Sequence, residues 1–289
     1  MHVLAEEWPL LSFTLLTQLS VGAYLFFVII RSLPKKVDRQ LSILVTKRGM
    51  LLIGPVMLVA LILSVFHLGD PFGAYRSLLN LDSSWLSREI VFSGLFFALW
   101  LVSYYLDRKG AWNQIVAWMN VVVGLGAIYS MASIYATSIK PAWTDVNTYL
   151  AFYGTTILFG AVASMLVILL SKEEKTAGLN SIIKGIGLVG LAAIIVQLIY
   201  LPVYVAGLPV SGLAGLESAS LITDTYALST LIRWVLSIVG LAMIGFAFYR
   251  KIEPKIQFKF YYTALVFVLA GEFLGRFIFY ATGVPIIVG

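Results

Sequence analysis

Eight runs of about twenty apolar residues, separated by short polar or Pro/Gly-containing stretches, constrain the fold of this chain more than any other feature. A run of about 20 apolar residues crosses the hydrocarbon core of a bilayer as an α-helix. The continuous runs exclude a β-barrel, whose strands alternate over about ten residues. We therefore predict an all-α integral membrane protein, a single domain of residues 1–289 with eight transmembrane helices. The predicted spans cover about residues 10–31, 50–67, 89–106, 114–136, 149–170, 185–206, 227–249 and 260–282.

The basic residues alternate between the connections. Most of the 20 Lys and Arg residues follow the first, third, fifth and seventh spans. Short connections rich in Lys and Arg stay in the cytoplasm, so we predict that both termini lie on the extracytoplasmic side. The net charge of +6 then reflects membrane orientation and does not indicate a nucleic acid partner.

Cysteine and histidine usage limits the cofactors. The chain has no cysteine, which excludes disulfides and thiolate ligation of a metal or an iron–sulfur cluster. A haem inside the bundle would need two facing imidazoles. His2 precedes the first span and His67 ends the second, so we expect neither haem nor an iron–sulfur cluster in this chain, and no metal site.

Two residues near the predicted outer face could accept and release protons. His67 ends the second span and Glu89 begins the third, so the loop between them brings both to similar depth. An imidazole or a partly desolvated carboxyl group there could accept protons from a quinol. Simpler alternatives stay open: His67 could be an interfacial residue, and Glu89 a helix-start acid with Ser87 as its cap.

Three charged residues lie inside the last two spans, at Arg233, Glu272 and Arg276. A charge within a span is costly unless it is paired or hydrated, and it commonly marks a functional cavity. Glu272 and Arg276 are spaced i, i+4 and share a helix face. The structural alternative is a Glu272–Arg276 pair with Arg233 extending outward to water.

Five of the ionisable residues lie toward the predicted outer half: His67, Arg76, Glu89, Arg233 and Arg276. Glu272 lies nearer the middle, and the inner half of the spans shows no ionisable residue except tyrosines. A proton path across the membrane would therefore lack acidic or basic side chains in the inner half. This disfavours a pump or a proton-coupled transporter. A secondary transporter that binds a small anionic substrate at Arg233 and Arg276 remains the alternative function. A purely structural anchor is a third possibility.

Several short segments carry a family resemblance. They are Glu-Trp-Pro-Leu at 7–10, His-Leu-Gly-Asp-Pro at 67–71, Leu-Ser-Arg-Glu at 86–89 and Gly-Glu-Phe-Leu-Gly-Arg at 271–276. With these segments and its eight spans, the chain resembles the membrane anchor subunit of dimethyl sulfoxide reductase along essentially its whole length.

The resemblance implies a haem-free anchor in the bacterial inner membrane. It implies two partners outside the cytoplasmic membrane: a molybdopterin catalytic subunit and an iron–sulfur subunit with four clusters. It further implies that the anchor oxidises menaquinol near the outer face, with His67 and Glu89 matching the quinol-site histidine and glutamate. Arg76, Arg233, Glu272 and Arg276 are added from charge and depth alone, as residues that support the site or face the partner's cluster.

Overall fold

The fold is a helical bundle. The computed structural model describes residues 2–67, 80–171, 173–174, 176–250 and 254–286. These ranges contain α-helices and no strand, and eight of the helices are long and apolar enough to cross a membrane, as predicted. The helices are α1 (His2–Arg31), α2 (Arg39–His67), α3 (Trp85–Arg108), α4 (Gln114–Ala136), α5 (Val146–Leu169), α6 (Ala177–Gly207), α7 (Leu213–Ser220), α8 (Ala227–Tyr249) and α9 (Pro254–Ala281).

Several helices begin earlier than the apolar runs. Helix α2 starts at Arg39 instead of near residue 50, and α6 starts at Ala177 instead of near residue 185. Polar caps explain the difference: Asp38 accepts the Gln40 backbone N–H at 2.9 Å, and Thr176 accepts that of Leu179 at 3.3 Å. A hydropathy pattern detects the membrane-embedded part of a helix and misses polar first turns.

Helices α1 and α5 form the centre of the bundle, since they are the most buried of the spans. They cross at two glycines. A Cβ added to Gly22 would collide with the backbone of Thr156 and Gly160, and one added to Gly160 would collide with the backbone of Gly22. Small residues allow membrane helices to pack closely, which here places α1 where it also contacts α2, α4 and α9.

The first turns of α1, α3, α5 and α8 lie at one end of the bundle, together with the last turn of α9; we call it the Glu89 end. Its placement on the extracytoplasmic side remains a prediction. A helical cap of residues 208–225, which contains α7, connects α6 to α8 at this end. Leu208 and Ile222 of the cap pack with Ala142 and Tyr204, so this connection is a folded element.

The opposite end contains a buried ion pair. Arg31 ends α1 and donates to both carboxylate oxygens of Asp107 on α3, at 2.9 and 3.3 Å, and to the Thr46 hydroxyl at 2.7 Å. The expectation that tyrosines are the only ionisable residues there is therefore wrong at the helix ends. Arg31 is the last residue of the first predicted span and Asp107 lies one residue beyond the third, whereas both lie inside helices in the structure.

Candidate functional site

Glu89 lies in the second turn of α3 and faces the interior. Only 3% of its surface is exposed. It borders a pocket of about 60 Å³ between α1, α2 and α3, whose other lining residues are Leu10, Phe13, Leu61, Ser64, Leu86, Ile90 and Ser93. Within the described ranges, no hydrogen bond or ion pair joins the Glu89 carboxyl group to another residue. The cap of α3 is Ser84, which accepts the backbone N–H of Ser87, so the prediction that Ser87 caps this helix is wrong.

His67 is the last residue of α2, and its side chain lies outside the described part of the structure. Ser64, three residues earlier, lines the Glu89 pocket. Residues spaced i, i+3 share a helix face, so the register puts position 67 on the face of α2 that carries Ser64. Arg76 falls outside the described residues.

Glu272 lies on α9 at the centre of a buried polar cluster. Its carboxylate accepts hydrogen bonds from the Thr155 hydroxyl at 2.6 Å and the Ser237 hydroxyl at 2.9 Å. Its Oε2 atom also lies 3.8 Å from Nη2 of Arg233. Helices α5 and α8 thus both bind the same carboxylate on α9. These contacts offset the unfavourable free energy of burying a charged group within the membrane.

Arg233 on α8 does not extend outward to water, contrary to the alternative that the sequence left open. Its side chain is 14% exposed. It donates to Oε1 of Gln197 at 3.2 Å, and its guanidinium lies 4.2 Å from the centre of the Trp234 ring. Gly275 makes room for it, since an added Cβ there would collide with the Arg233 side chain.

Arg276 lies one turn beyond Glu272 and is 3% exposed. Its Nη2 donates to Gln18 on α1 at 3.1 Å, and its guanidinium carbon lies 3.7 Å from the centre of the Phe152 ring. Gln18 in turn donates to the Phe152 carbonyl at 3.0 Å, which fixes the amide. The possible Glu272–Arg276 pair is wrong, because the ion pair of Glu272 in the described structure is made with Arg233 instead.

Two tyrosines lie between the Glu89 pocket and the Glu272 cluster. Tyr135 of α4 and Tyr280 of α9 join their hydroxyls at 2.9 Å, and both are buried. Each interacts electrostatically with Glu89 and with Arg276. The two groups of charged residues therefore belong to one polar region at the Glu89 end.

Sequence reasoning missed the polar partners of the charged residues. These are Gln18, Tyr135, Thr155, Gln197, Ser237 and Tyr280. The two glutamines offered a signal, since a side-chain amide within an apolar run needs a partner. The hydroxyl residues offered none, because Ser and Thr within a membrane helix often donate to their own helix backbone.

Metal ligation has no candidate among the described residues: they contain no group of three or more His, Cys, Asp or Glu side chains that could hold an ion.

Eight helices able to cross a membrane, with a buried polar region at one end, define the described part of the chain as a multi-pass membrane protein. The family model described as "DMSO reductase anchor subunit (DmsC)" matches residues 1–282, and the chain belongs to this family. It is 30% identical over 281 residues to the YnfH subunit of an anaerobic dimethyl sulfoxide reductase of Escherichia coli strain K12, with 95% of this protein and 94% of that one covered. It is 25% identical over 283 residues, with the same coverage, to the C subunit of the anaerobic dimethyl sulfoxide reductase of Haemophilus influenzae.

Proposed function

We propose that this chain is the haem-free anchor of a molybdopterin-dependent respiratory complex in the bacterial inner membrane. It binds and oxidises menaquinol near the outer face and passes the electrons to an iron–sulfur partner subunit. Family membership supports the anchor role, and the relatives' names connect it to anaerobic dimethyl sulfoxide reductases. A molybdopterin subunit then carries out terminal reduction, so this chain supplies the anchor and the quinol site.

The pocket at Glu89 is the observation that carries the quinol site. Its lining is mostly apolar, as a quinol ring requires, and it contains one buried carboxyl group. Binding sites typically combine apolar walls with a few polar groups that orient the ligand. A carboxyl group without a partner in the described structure is available to a ligand hydroxyl, whereas Glu272 is already engaged.

Oxidation of a hydroquinone releases two protons and two electrons. We assign one proton to Glu89 and the other to His67, each taking it from one hydroxyl and passing it to the outside water. The electrons leave one at a time for the iron–sulfur partner. The proton acceptors must lie within hydrogen-bond reach of the quinol hydroxyls, which restricts the ring to the mouth of the Glu89 pocket.

The pocket volume limits how the quinol binds. Sites that enclose a drug-sized ligand have volumes of roughly 300–1,000 Å³, and the Glu89 pocket has about 60 Å³. In this proposal only one hydroxyl and the edge of the ring that carries it enter the pocket. The rest of the ring lies above the pocket, toward the end of α2 that carries His67.

A secondary transporter is the second function that the charges suggested. Membership in the anchor family favours the anchor instead. Within the described structure, Glu272 pairs with Arg233, so the two arginines of the last spans do not together offer two unpaired charges to a transported anion.

The test is menaquinol-analogue oxidation by membranes that contain the whole complex, with wild type compared to His67→Ala. The catalytic subunits are assayed in parallel with a soluble electron-donor dye that bypasses the quinol site. We expect quinol oxidation to fall by about 10²-fold or more, the contribution typical of one general base. Dye activity and assembly should stay unchanged.

His2→Ala is the matched control, because His2 is the other of the two histidines and the proposal gives it no role. It should leave both activities unchanged. Survival of both activities in His67→Ala would show that His67 is not a proton acceptor, and equal loss of both would indicate failed assembly instead of a quinol-site defect.

A further inference from the structure

A second cavity, distinct from the Glu89 pocket, lies beside the buried arginines. It has a volume of about 50 Å³ and is enclosed by α5, α6, α8, α9 and the helical cap. The residues that matter for its chemistry are Arg276, Arg233 and Thr230, all of which line it. Quinol oxidation as proposed above uses none of them.

Several hydrogen-bond donors of the residues around this cavity have no acceptor. Within the described residues, Nε and Nη1 of Arg276, Nε of Arg233 and the Thr230 hydroxyl are buried without a hydrogen-bond partner. Leaving a buried donor unsatisfied costs about 1–3 kcal/mol, and more for a charged group. Four such atoms around one cavity therefore indicate a ligand that accepts hydrogen bonds.

The charge balance indicates the sign of that ligand. Glu272 pairs with Arg233, whereas Arg276 has no carboxylate partner among the described residues. The Asp145 carboxylate, before the first turn of α5, accepts the Asn147 backbone N–H and the Tyr200 hydroxyl and forms no ion pair with Arg276 in the described structure. A buried cation without a counter-ion is strongly unfavourable, so a negative ligand is favoured over water alone.

The volume restricts the size of the ligand. One water molecule needs about 10–15 Å³ of cavity volume. A cavity of about 50 Å³ therefore has room for roughly four water molecules. A quinol ring is too large. We propose that the cavity binds one halide-sized inorganic anion, held by Nε and Nη1 of Arg276 and by the Thr230 hydroxyl, as a fixed counter-ion that the protein does not transport.

The test uses the full-length chain purified in detergent. Equilibrium dialysis with radiolabelled chloride should find one site per protein molecule, and thermal unfolding should occur at higher temperature in sodium chloride than in sodium gluconate of equal ionic strength. In Arg276→Gln both effects should disappear. Sulfate, which is larger, should not displace the labelled chloride.

Arg31→Gln is the matched control, since Arg31 is equally buried but pairs with Asp107. It should destabilise the protein and leave chloride binding intact. If Arg276→Gln does not fold, Thr230→Val replaces it; the loss of one hydroxyl donor should weaken chloride binding by about tenfold.

Three results would overturn the proposal. They are a wild-type protein that binds no labelled chloride, binding that survives in Arg276→Gln or is unaffected by Thr230→Val, and equal loss of binding in Arg31→Gln. None of these readouts involves quinol oxidation, so failure of this inference and failure of the proposed function are distinguishable.

Discussion

Two buried glutamates at the same end of the bundle differ in what surrounds them. Glu272 accepts two hydroxyl hydrogen bonds and lies 3.8 Å from a guanidinium nitrogen. Glu89 is as deeply buried but borders a mostly apolar pocket. Glu272 is thus bound as a carboxylate, whereas Glu89 has no described partner that fixes its charge.

The difference separates two uses of a buried acid. A carboxylate with all its partners in place joins helices, and losing it leaves those partners unpaired. A carboxyl group that faces a pocket can exchange a proton with a ligand. We therefore expect substitutions at Glu272 to change mainly stability and substitutions at Glu89 to change mainly turnover.

The largest effect on stability is expected for Glu272→Ala. The change leaves Arg233 buried without its carboxylate and removes the acceptor of the Thr155 and Ser237 hydroxyls. Breaking a buried ion pair on one side costs about 3–5 kcal/mol. Unfolding of the purified protein in detergent measures this, with Glu217→Ala on the exposed surface of α7 as the control. Equal stability of the two variants would show that Glu272 does not join the helices.

A smaller loss is expected for Gly275→Ala, because the added methyl group would collide with the Arg233 side chain and shift it from Glu272. Overpacking of this kind costs about 1–3 kcal/mol. Gly245→Ala on α8 is the matched control, since its added Cβ meets no atom within 4 Å. Alanine favours a helix over glycine, so the control should be neutral or slightly stabilising. A neutral Gly275→Ala would contradict the described position of Arg233.

The smallest effect is expected for Tyr135→Phe, which removes the hydrogen bond between the Tyr135 and Tyr280 hydroxyls. The Tyr280 hydroxyl loses this hydrogen bond, and we expect the free energy of unfolding to fall by about 1 kcal/mol. Thermal unfolding measures it against Tyr262→Phe, whose tyrosine is half-exposed. Unchanged stability of Tyr135→Phe would show that the buried hydroxyl pair does not stabilise the protein.

Much of the fold was predictable from the sequence. Hydropathy alone identifies eight spans, because the requirement for continuous apolar helices in lipid leaves few alternatives. The polar first turns of α2 and α6 escaped prediction, since Asp38 and Thr176 continue the helices beyond the hydrocarbon by capping. Hydropathy also does not show which polar residues at the helix ends meet, so the buried pair of Arg31 and Asp107 was not expected.

The buried charges of the last two spans could be identified from the sequence, but their pairing could not. Burial cost identified Arg233, Glu272 and Arg276 as unusual, and the structure places all three in one buried region. Spacing within α9 suggested that Glu272 pairs with Arg276, whereas the partner comes from α8. A spacing rule considers one helix at a time, and the packing of α5, α8 and α9 cannot be obtained from it.

The most direct test of the central claim compares Glu89→Gln with Glu272→Gln in the whole complex. Both replacements keep the side-chain shape and remove the carboxyl group. The account predicts that Glu89→Gln lowers menaquinol-analogue oxidation by about 10²-fold or more at unchanged stability, and that Glu272→Gln lowers the unfolding temperature while each folded complex retains quinol oxidation. Normal quinol oxidation in Glu89→Gln would contradict the account.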